Sequence, residues 1–244
     1  MSVQEGWANN KGVRIHYIDV DPHPPSEEFV PVLIVPGALH PAENYLLAAS
    51  LLTPRRVVVP SLRGRGKSDA PQTGYSFQEH LTDIEAVVEK SELDTFCLMA
   101  YSLGVPYAIG YAIRHPQRVT GFIVGDFPAY YPALPPKWWE QRAVADSQDQ
   151  VESHVIRALQ RESSEVLLWD DLDKMECPAL ILRGGRADSL LTAEESEMYR
   201  RRLRQAKVVV FEESGHVLWE PDYERFMRTV QTFLDWVDQR LSGV

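Results

Sequence analysis

Ser102 stands in Ala100-Tyr101-Ser102-Leu103-Gly104, between the apolar run Phe96-Cys97-Leu98-Met99 and a stretch of helical period. A serine on so sharp a strand-to-helix turn presents its hydroxyl at the rim of a sheet, beside the positive end of a helix, which suits a nucleophile. The first position of such a turn needs only a small side chain, and Ala100 supplies one where glycine is more usual. Taken alone, the pentapeptide also fits an ordinary serine N-cap. A nucleophilic serine needs a base, and histidine is the side chain that can take a proton and return it near neutral pH. Of the seven histidines, His216 in Glu213-Ser214-Gly215-His216 directly follows an apolar run and precedes a long amphipathic stretch. His16, His23, His80, His115 and His154 read as surface or capping residues, and His40 as either a pocket residue or a loop histidine. Pro36-Gly37-Ala38 follows the apolar run 32–35, so the backbone N–H groups of Ala38 and Leu103 could together receive an oxyanion. No H-x-x-x-H or C-x-x-C spacing occurs, and neither a metal nor a cofactor is expected.

A hydroxyl at a sheet rim presupposes a sheet. Residues 13–20 alternate like a half-buried strand, while 32–35, 57–59, 96–100, 122–124, 179–182 and 208–211 are near-continuous apolar runs, the pattern of strands covered on both faces. Between them 41–52, 77–92, 103–115, 192–205 and 223–241 carry helical period, several opened by Pro, Thr or Ser. Short strands alternating with helices predict an α/β domain with a mostly parallel sheet. The stretch 127–173 breaks the alternation. It opens with prolines and aromatics, shows no strand pattern, and places Val151, Val155, Ile156 and Leu159 at helical spacing. A structureless loop of that length is improbable inside a compact domain. The reading is therefore a core of 1–126 and 174–244 with an inserted helical cap, 127–173. Trp138 and Trp139, with Tyr130, Tyr131 and Leu134, would either pack the cap onto the sheet or line an apolar acyl pocket.

Composition narrows the partners. The 244 residues, 44% hydrophobic, 25% charged and 10% aromatic, are enough for one large globular domain and unlike a disordered or disulfide-stapled chain. Acidic residues outnumber basic ones, 35 to 25, and a net charge of −10 repels a phosphate backbone, so no nucleic-acid partner is expected. No run approaches the ~18–20 apolar residues of a membrane span, and the first residues lack a signal-peptide pattern. The expectation is a soluble, unprocessed, cytoplasmic protein with a small-molecule substrate and no membrane partner. Cys97 and Cys177 lie in apolar, strand-like runs and read as free thiols of a reducing compartment.

Between the runs 57–59 and 77–92 lies Ser61-Leu62-Arg63-Gly64-Arg65-Gly66-Lys67-Ser68-Asp69. This R-G-x-G-x-S loop, the serine turn and the terminal Ser-Gly-His, in that order and spacing, resemble the α/β-hydrolase superfamily over nearly the whole chain. The resemblance implies a central sheet of about eight strands flanked by helices, with the cap inserted after strand 6. Members often have His-Gly where this chain has Pro36-Gly37, and Asp where it has Ser61; neither difference removes a catalytic group. In the family the Arg63, Arg65, Lys67 loop is largely structural rather than an anion site. The acid most often follows the seventh strand, where Asp188 stands in Gly185-x-x-Asp188, but if Gly184 ends that strand the acid position falls on Ala187. A subset places the acid after the sixth strand, where Asp126 lies; its separation from Ser102, 24 residues, is similar to that in the hydrolase of (E)-2-(acetamidomethylene)succinate. Register favours Asp126, with Asp188 the alternative acid.

The resemblance thus implies a cofactor-free serine hydrolase of carboxylesterase type. Ser102 would be the nucleophile, His216 the base and Asp126 or Asp188 its orienting acid. The substrate would be a small or medium carboxylic ester, lactone or related carbonyl compound. The same triad also serves amide, thioester and carbon–carbon bond hydrolysis and hydroxynitrile lysis. A ligand receptor with slow or no turnover is the alternative of another class. Oligomeric state is not encoded in these motifs.

Overall fold

The computed structural model describes residues 2–21, 28–135 and 151–243. Ten strands are found there: β1 Ser2–Asn10, β2 Val13–Asp21, β3 Val32–Val35, β4 Val57–Pro60, β5 Phe96–Tyr101, β6 Val119–Gly125, β7 Tyr130–Tyr131, β8 Val166–Leu167, β9 Ala179–Gly184 and β10 Ala206–Phe211. The α-helices are α1 Leu46–Leu51, α2 Phe77–Lys90, α3 Gly104–Arg114, α4 Ser153–Glu162, α5 Ala193–Arg202 and α6 Tyr223–Leu241.

Eight strands form one sheet in the order β1-β2-β4-β3-β5-β6-β9-β10. From β3 and β4 to β10 the neighbours are parallel, and β1 and β2 join antiparallel at one edge. Strands covered on both faces need apolar residues on both faces, and β3, β4 and β5 are buried at every position. One core holds Leu81 and Ile84 of α2, Tyr107 of α3, Val155 and Leu159 of α4 and Tyr199 of α5. The other holds Ala49 of α1 and Phe226, Val230 and Phe233 of α6. The chain runs from β3 outward to β4, then returns to place β5 on the other side of β3. That reversal opens a crevice at the carboxyl ends of β3 and β5, where α/β sheets bind ligands.

Two elements differ from the sequence expectations. β1 escapes the hydrophobic pattern because it is an edge strand whose side chains are mostly exposed. Its signal lies in the turn: Lys11 and Gly12 both have positive φ, 52° and 93°, as a two-residue hairpin loop requires. Within 127–173, where no strand pattern is legible, β7 and β8 pair as a two-stranded antiparallel ribbon. At two residues each, they are too short to show a period. In α4 the buried face is Val155, Ile156, Ala158 and Leu159.

Candidate active site

Between the end of β5 and the start of α3 only Ser102 and Leu103 are available for the turn. So tight a bend puts Ser102 at φ 53°, in the left-handed region that a side chain normally avoids; strain of this kind is found at functional sites. The Ser102 N–H donates to the Gly125 carbonyl at 2.8 Å, tying the turn to the end of β6. Gly104 lets the new helix lie against the end of β3, because a Cβ there would stand 2.3 Å from the Pro36 carbonyl oxygen. The same closeness brings Gly37 to the turn, where its Cβ would be 3.4 Å from that of Ser102.

His216 reaches this point from the loop after β10. Its Nε2 lies 2.9 Å from Ser102 Oγ and its Nδ1 lies 2.9 Å from Asp126 Oδ2. Asp126 follows β6 at φ 48°, a conformation aspartate tolerates better than most residues, and is fully buried. Its Oδ1 accepts from the Gly184 N–H at 3.1 Å and the Ser189 hydroxyl at 2.6 Å, and its Oδ2 also accepts from the Leu190 N–H at 2.9 Å. Those three donors fix the carboxylate plane. The carboxylate can only accept, so Nδ1 carries the imidazole proton and Nε2 faces the serine hydroxyl as an acceptor.

Asp188 is exposed and lies against the backbone of the histidine loop, where a Cβ on Gly215 would be 2.1 Å from either carboxylate oxygen. The structure thus brings Ser102, His216 and Asp126 together, and leaves Asp188 on the outside of that loop beside Arg186 and Glu213.

Sequence reasoning missed Tyr101. Its hydroxyl donates to the His216 carbonyl at 2.9 Å and its ring stacks on the imidazole, centroids 4.9 Å apart, so it holds the histidine loop from below. The only signal was its place beside Ser102. The segment that carries Ala38 is held on both sides: the Gly37 N–H donates to the Tyr45 hydroxyl at 3.0 Å, and the Ala38 carbonyl accepts from Arg65 Nε at 2.8 Å. His40 and Tyr101 border an apolar cavity of 440 Å³, walled on the second-core side by Tyr45, Leu218, Trp219 and Phe226.

Other expected residues have quieter places. In the R-G-x-G-x-S loop Arg63 pairs with Asp83 at 2.6 Å, Lys67 pairs with Glu5 and Glu43, and Ser61 Oγ accepts from the Ala42 N–H at 2.9 Å. Glu5, His16 and Glu43 come near enough to one another to share an ion, but the Lys67 ammonium already pairs with both carboxylates. His16 and His80 are buried rather than on the surface. Burial, and for His80 the neighbouring Arg65 as well, holds both below the usual histidine range. His154 contacts the Ala70 carbonyl, and His115 lies beside Glu85. Tyr131 and Leu134 are buried in the first core, Tyr130 is half-buried, and His23, Trp138 and Trp139 lie outside the described residues. Cys97 and Cys177 are both free.

Residues 32–229 match the family described as the alpha/beta hydrolase family. The chain belongs to that family. Among curated proteins, this alpha/beta hydrolase is similar to a putative 2-succinyl-6-hydroxy-2,4-cyclohexadiene-1-carboxylate synthase of Bacillus subtilis, 21% identical over 90% of this chain and 95% of that protein. It is also similar to haloalkane dehalogenase 2 of Mycobacterium tuberculosis, 29% identical over 49% of this chain, and spans only 41% of that relative's length. Among solved structures it resembles an esterase from Exiguobacterium antarcticum, with a TM-score of 0.75 and 21% identity, covering 95% of this chain and all of that one. At that identity the likeness is one of fold. No helix among the described residues is long and apolar enough to cross a membrane.

Proposed function

We propose that this alpha/beta hydrolase is a serine hydrolase that cleaves a small or medium carboxylic ester, lactone or related carbonyl compound through an acyl-enzyme. The observation that carries the reading is the line Ser102 Oγ, His216 Nε2, His216 Nδ1, Asp126 Oδ2, with 2.9 Å at each hydrogen bond. In it, His216 Nε2 takes the serine proton as Oγ attacks the carbonyl carbon, and Asp126 stabilises the imidazolium through the Nδ1 proton. The oxyanion is received by the N–H groups of Ala38 and Leu103. The proton on Nε2 then passes to the leaving alkoxide, and water attacks the acyl-serine by the same route in reverse order. The described parts of 127–173, the β7–β8 ribbon and α4 among them, serve as a cap over this site, and residues 136–150 of the expected cap lie outside the described residues. The 440 Å³ cavity beside His40 and Tyr101 is within the usual size for a small-molecule pocket, about 300–1,000 Å³.

A panel of soluble p-nitrophenyl esters, lactones and anilides tests the proposal. Short and medium acyl esters should turn over faster than anilides or emulsified triglyceride, and Ser102→Ala should lose about 10³-fold or more in kcat. Substantial turnover by Ser102→Ala removes the covalent mechanism.

A further inference from the structure

The three basic side chains of the R-G-x-G-x-S loop are not equivalent. Arg63 and Lys67 have carboxylate partners, whereas Arg65 is 1% exposed and no carboxylate among the described residues pairs with it. Its Nε donates to the Ala38 carbonyl at 2.8 Å, and its Nη1 to the Arg63 carbonyl at 2.6 Å and to Nε2 of the neutral His80 at 3.0 Å. Nη2 has no partner. The hydroxyls of Tyr75, Tyr107 and Tyr131 are likewise buried without a hydrogen-bond partner. These residues form one cluster. The Tyr107 ring stacks on His80 with centroids 4.6 Å apart, Tyr75 lies 6.2 Å from the same imidazole, and Tyr131 lies 5.3 Å from Tyr107. The Tyr107 and Tyr131 hydroxyls come near each other without the geometry of a full hydrogen bond. All three phenols are pushed up by burial, Tyr75 to about 12, so each is a protonated donor.

A guanidinium out of water with no carboxylate paired to it, and three phenol hydroxyls without a full hydrogen bond, are costly in a finished core. Bracing the Ala38 carbonyl uses Nε alone and explains neither Nη2 nor the tyrosines. What these groups lack in common is an acceptor. Their place is set by the site: Ala38 adjoins Gly37, which lies against Ser102, and Tyr107 is in the first turn of α3, which starts two residues after Ser102. Tyr131 belongs to the β7–β8 ribbon, and a Cβ on Gly64 would stand 2.6 Å from Val155 of α4, so the ribbon and α4 border the cluster.

We infer that Arg65 Nη2 with the hydroxyls of Tyr75, Tyr107 and Tyr131 forms a carboxylate-binding subsite, which holds the free acid group of a substrate whose scissile carbonyl lies at Ser102. The natural substrate is then a half-ester, half-amide or lactone that also carries a carboxylate. This deepens the serine hydrolase reading and rests on it for the reacting end only. A monoanion matches the single charge of Arg65, and a planar carboxylate can accept from a guanidinium edge and from hydroxyls at once.

The test is calorimetric titration of the Ser102→Ala protein with monomethyl glutarate and with dimethyl glutarate at neutral pH. The half-acid should bind at least tenfold more tightly than the diester. Arg65→Met in the same background should bring that ratio close to one. Should Arg65→Met fail to fold, the triple variant Tyr75→Phe, Tyr107→Phe, Tyr131→Phe, which keeps the rings and removes the donors, should lower the ratio at least threefold. No binding of the half-acid, an equal affinity for the two compounds, or a ratio unchanged in the variants overturns the subsite. Because Ser102→Ala binds without turnover, the outcome stands apart from the hydrolase reading: wild-type protein that cleaves no ester would sink that reading while leaving the binding ratio intact.

Discussion

At the scale of single residues, Asp126 Oδ2 lies 2.9 Å from His216 Nδ1, and this contact decides which imidazole nitrogen faces Ser102. Ser102 and His216 stand out in the sequence because each sits at a chain position with local marks, a small-x-Ser-x-Gly turn and a Ser-Gly-His after an apolar run. An acid has no such mark. Asp126 and Asp188 both follow buried strands, and only register separates them; the deciding contact spans 90 residues of sequence. Asp126→Asn keeps the size of the side chain but favours the wrong imidazole tautomer, so kcat for a p-nitrophenyl ester should fall by about 10⁴-fold, as in the serine-protease case. Asp188→Asn, at an exposed position outside the histidine loop, should cost less than about threefold. The opposite order of the two variants would move the acid to the loop after β9. Arg65 was legible only as part of a basic string, since nothing in the loop's spacing reveals that Asp83 pairs with Arg63 rather than with Arg65.

At the scale of elements, the turn between β5 and α3 depends on how closely the end of β3 approaches it. Gly104 is the last residue of the serine motif, and its requirement is steric rather than conformational. The Pro36 carbonyl oxygen would stand 2.3 Å from a Cβ there, and the Val35 carbonyl oxygen 2.6 Å. Both are backbone atoms and cannot swing away. Gly104→Ala should therefore destabilise the fold by about 1–3 kcal/mol or more, as overpacking does, read as a lower urea midpoint. It should also lower kcat, because relief of the clash must move the segment that carries Ala38, the proposed oxyanion donor. A midpoint and kcat equal to wild type would show that the crevice is looser than described. The buried parallel strands and the long helices were legible because each shows a period or an unbroken apolar run. β1 and the β7–β8 ribbon were not, the first because its faces are largely solvated and the second because two residues carry no period.

At the scale of the whole molecule, the order of strands and the reversal at β3 place Ser102, His216 and Asp126 at one sheet edge although they come from loops far apart in sequence. The buried histidines make stability depend on pH. His80 is held well below the usual histidine range by burial first and by Arg65 next, and His16 is lowered by burial. In the unfolded chain both protonate near the ordinary value of about 6.5. Below that pH the unfolded state binds more protons than the folded one, so stability is present above pH ~6.5 and is lost as pH falls, by up to about 1.4 kcal/mol per pH unit for each such histidine. Unfolding midpoints should drop from pH 7 to pH 5, and His80→Gln should flatten that drop; an unchanged slope in His80→Gln would mean that His80 titrates alike in both states. One side chain, Ser102, decides the proposed chemistry. Treatment of the native protein with a fluorophosphonate, followed by peptide mass spectrometry, should place a single adduct on Ser102, absent from Ser102→Ala and much slower to form in His216→Ala. An unlabelled protein, or an adduct on any other residue at comparable rate, would contradict it.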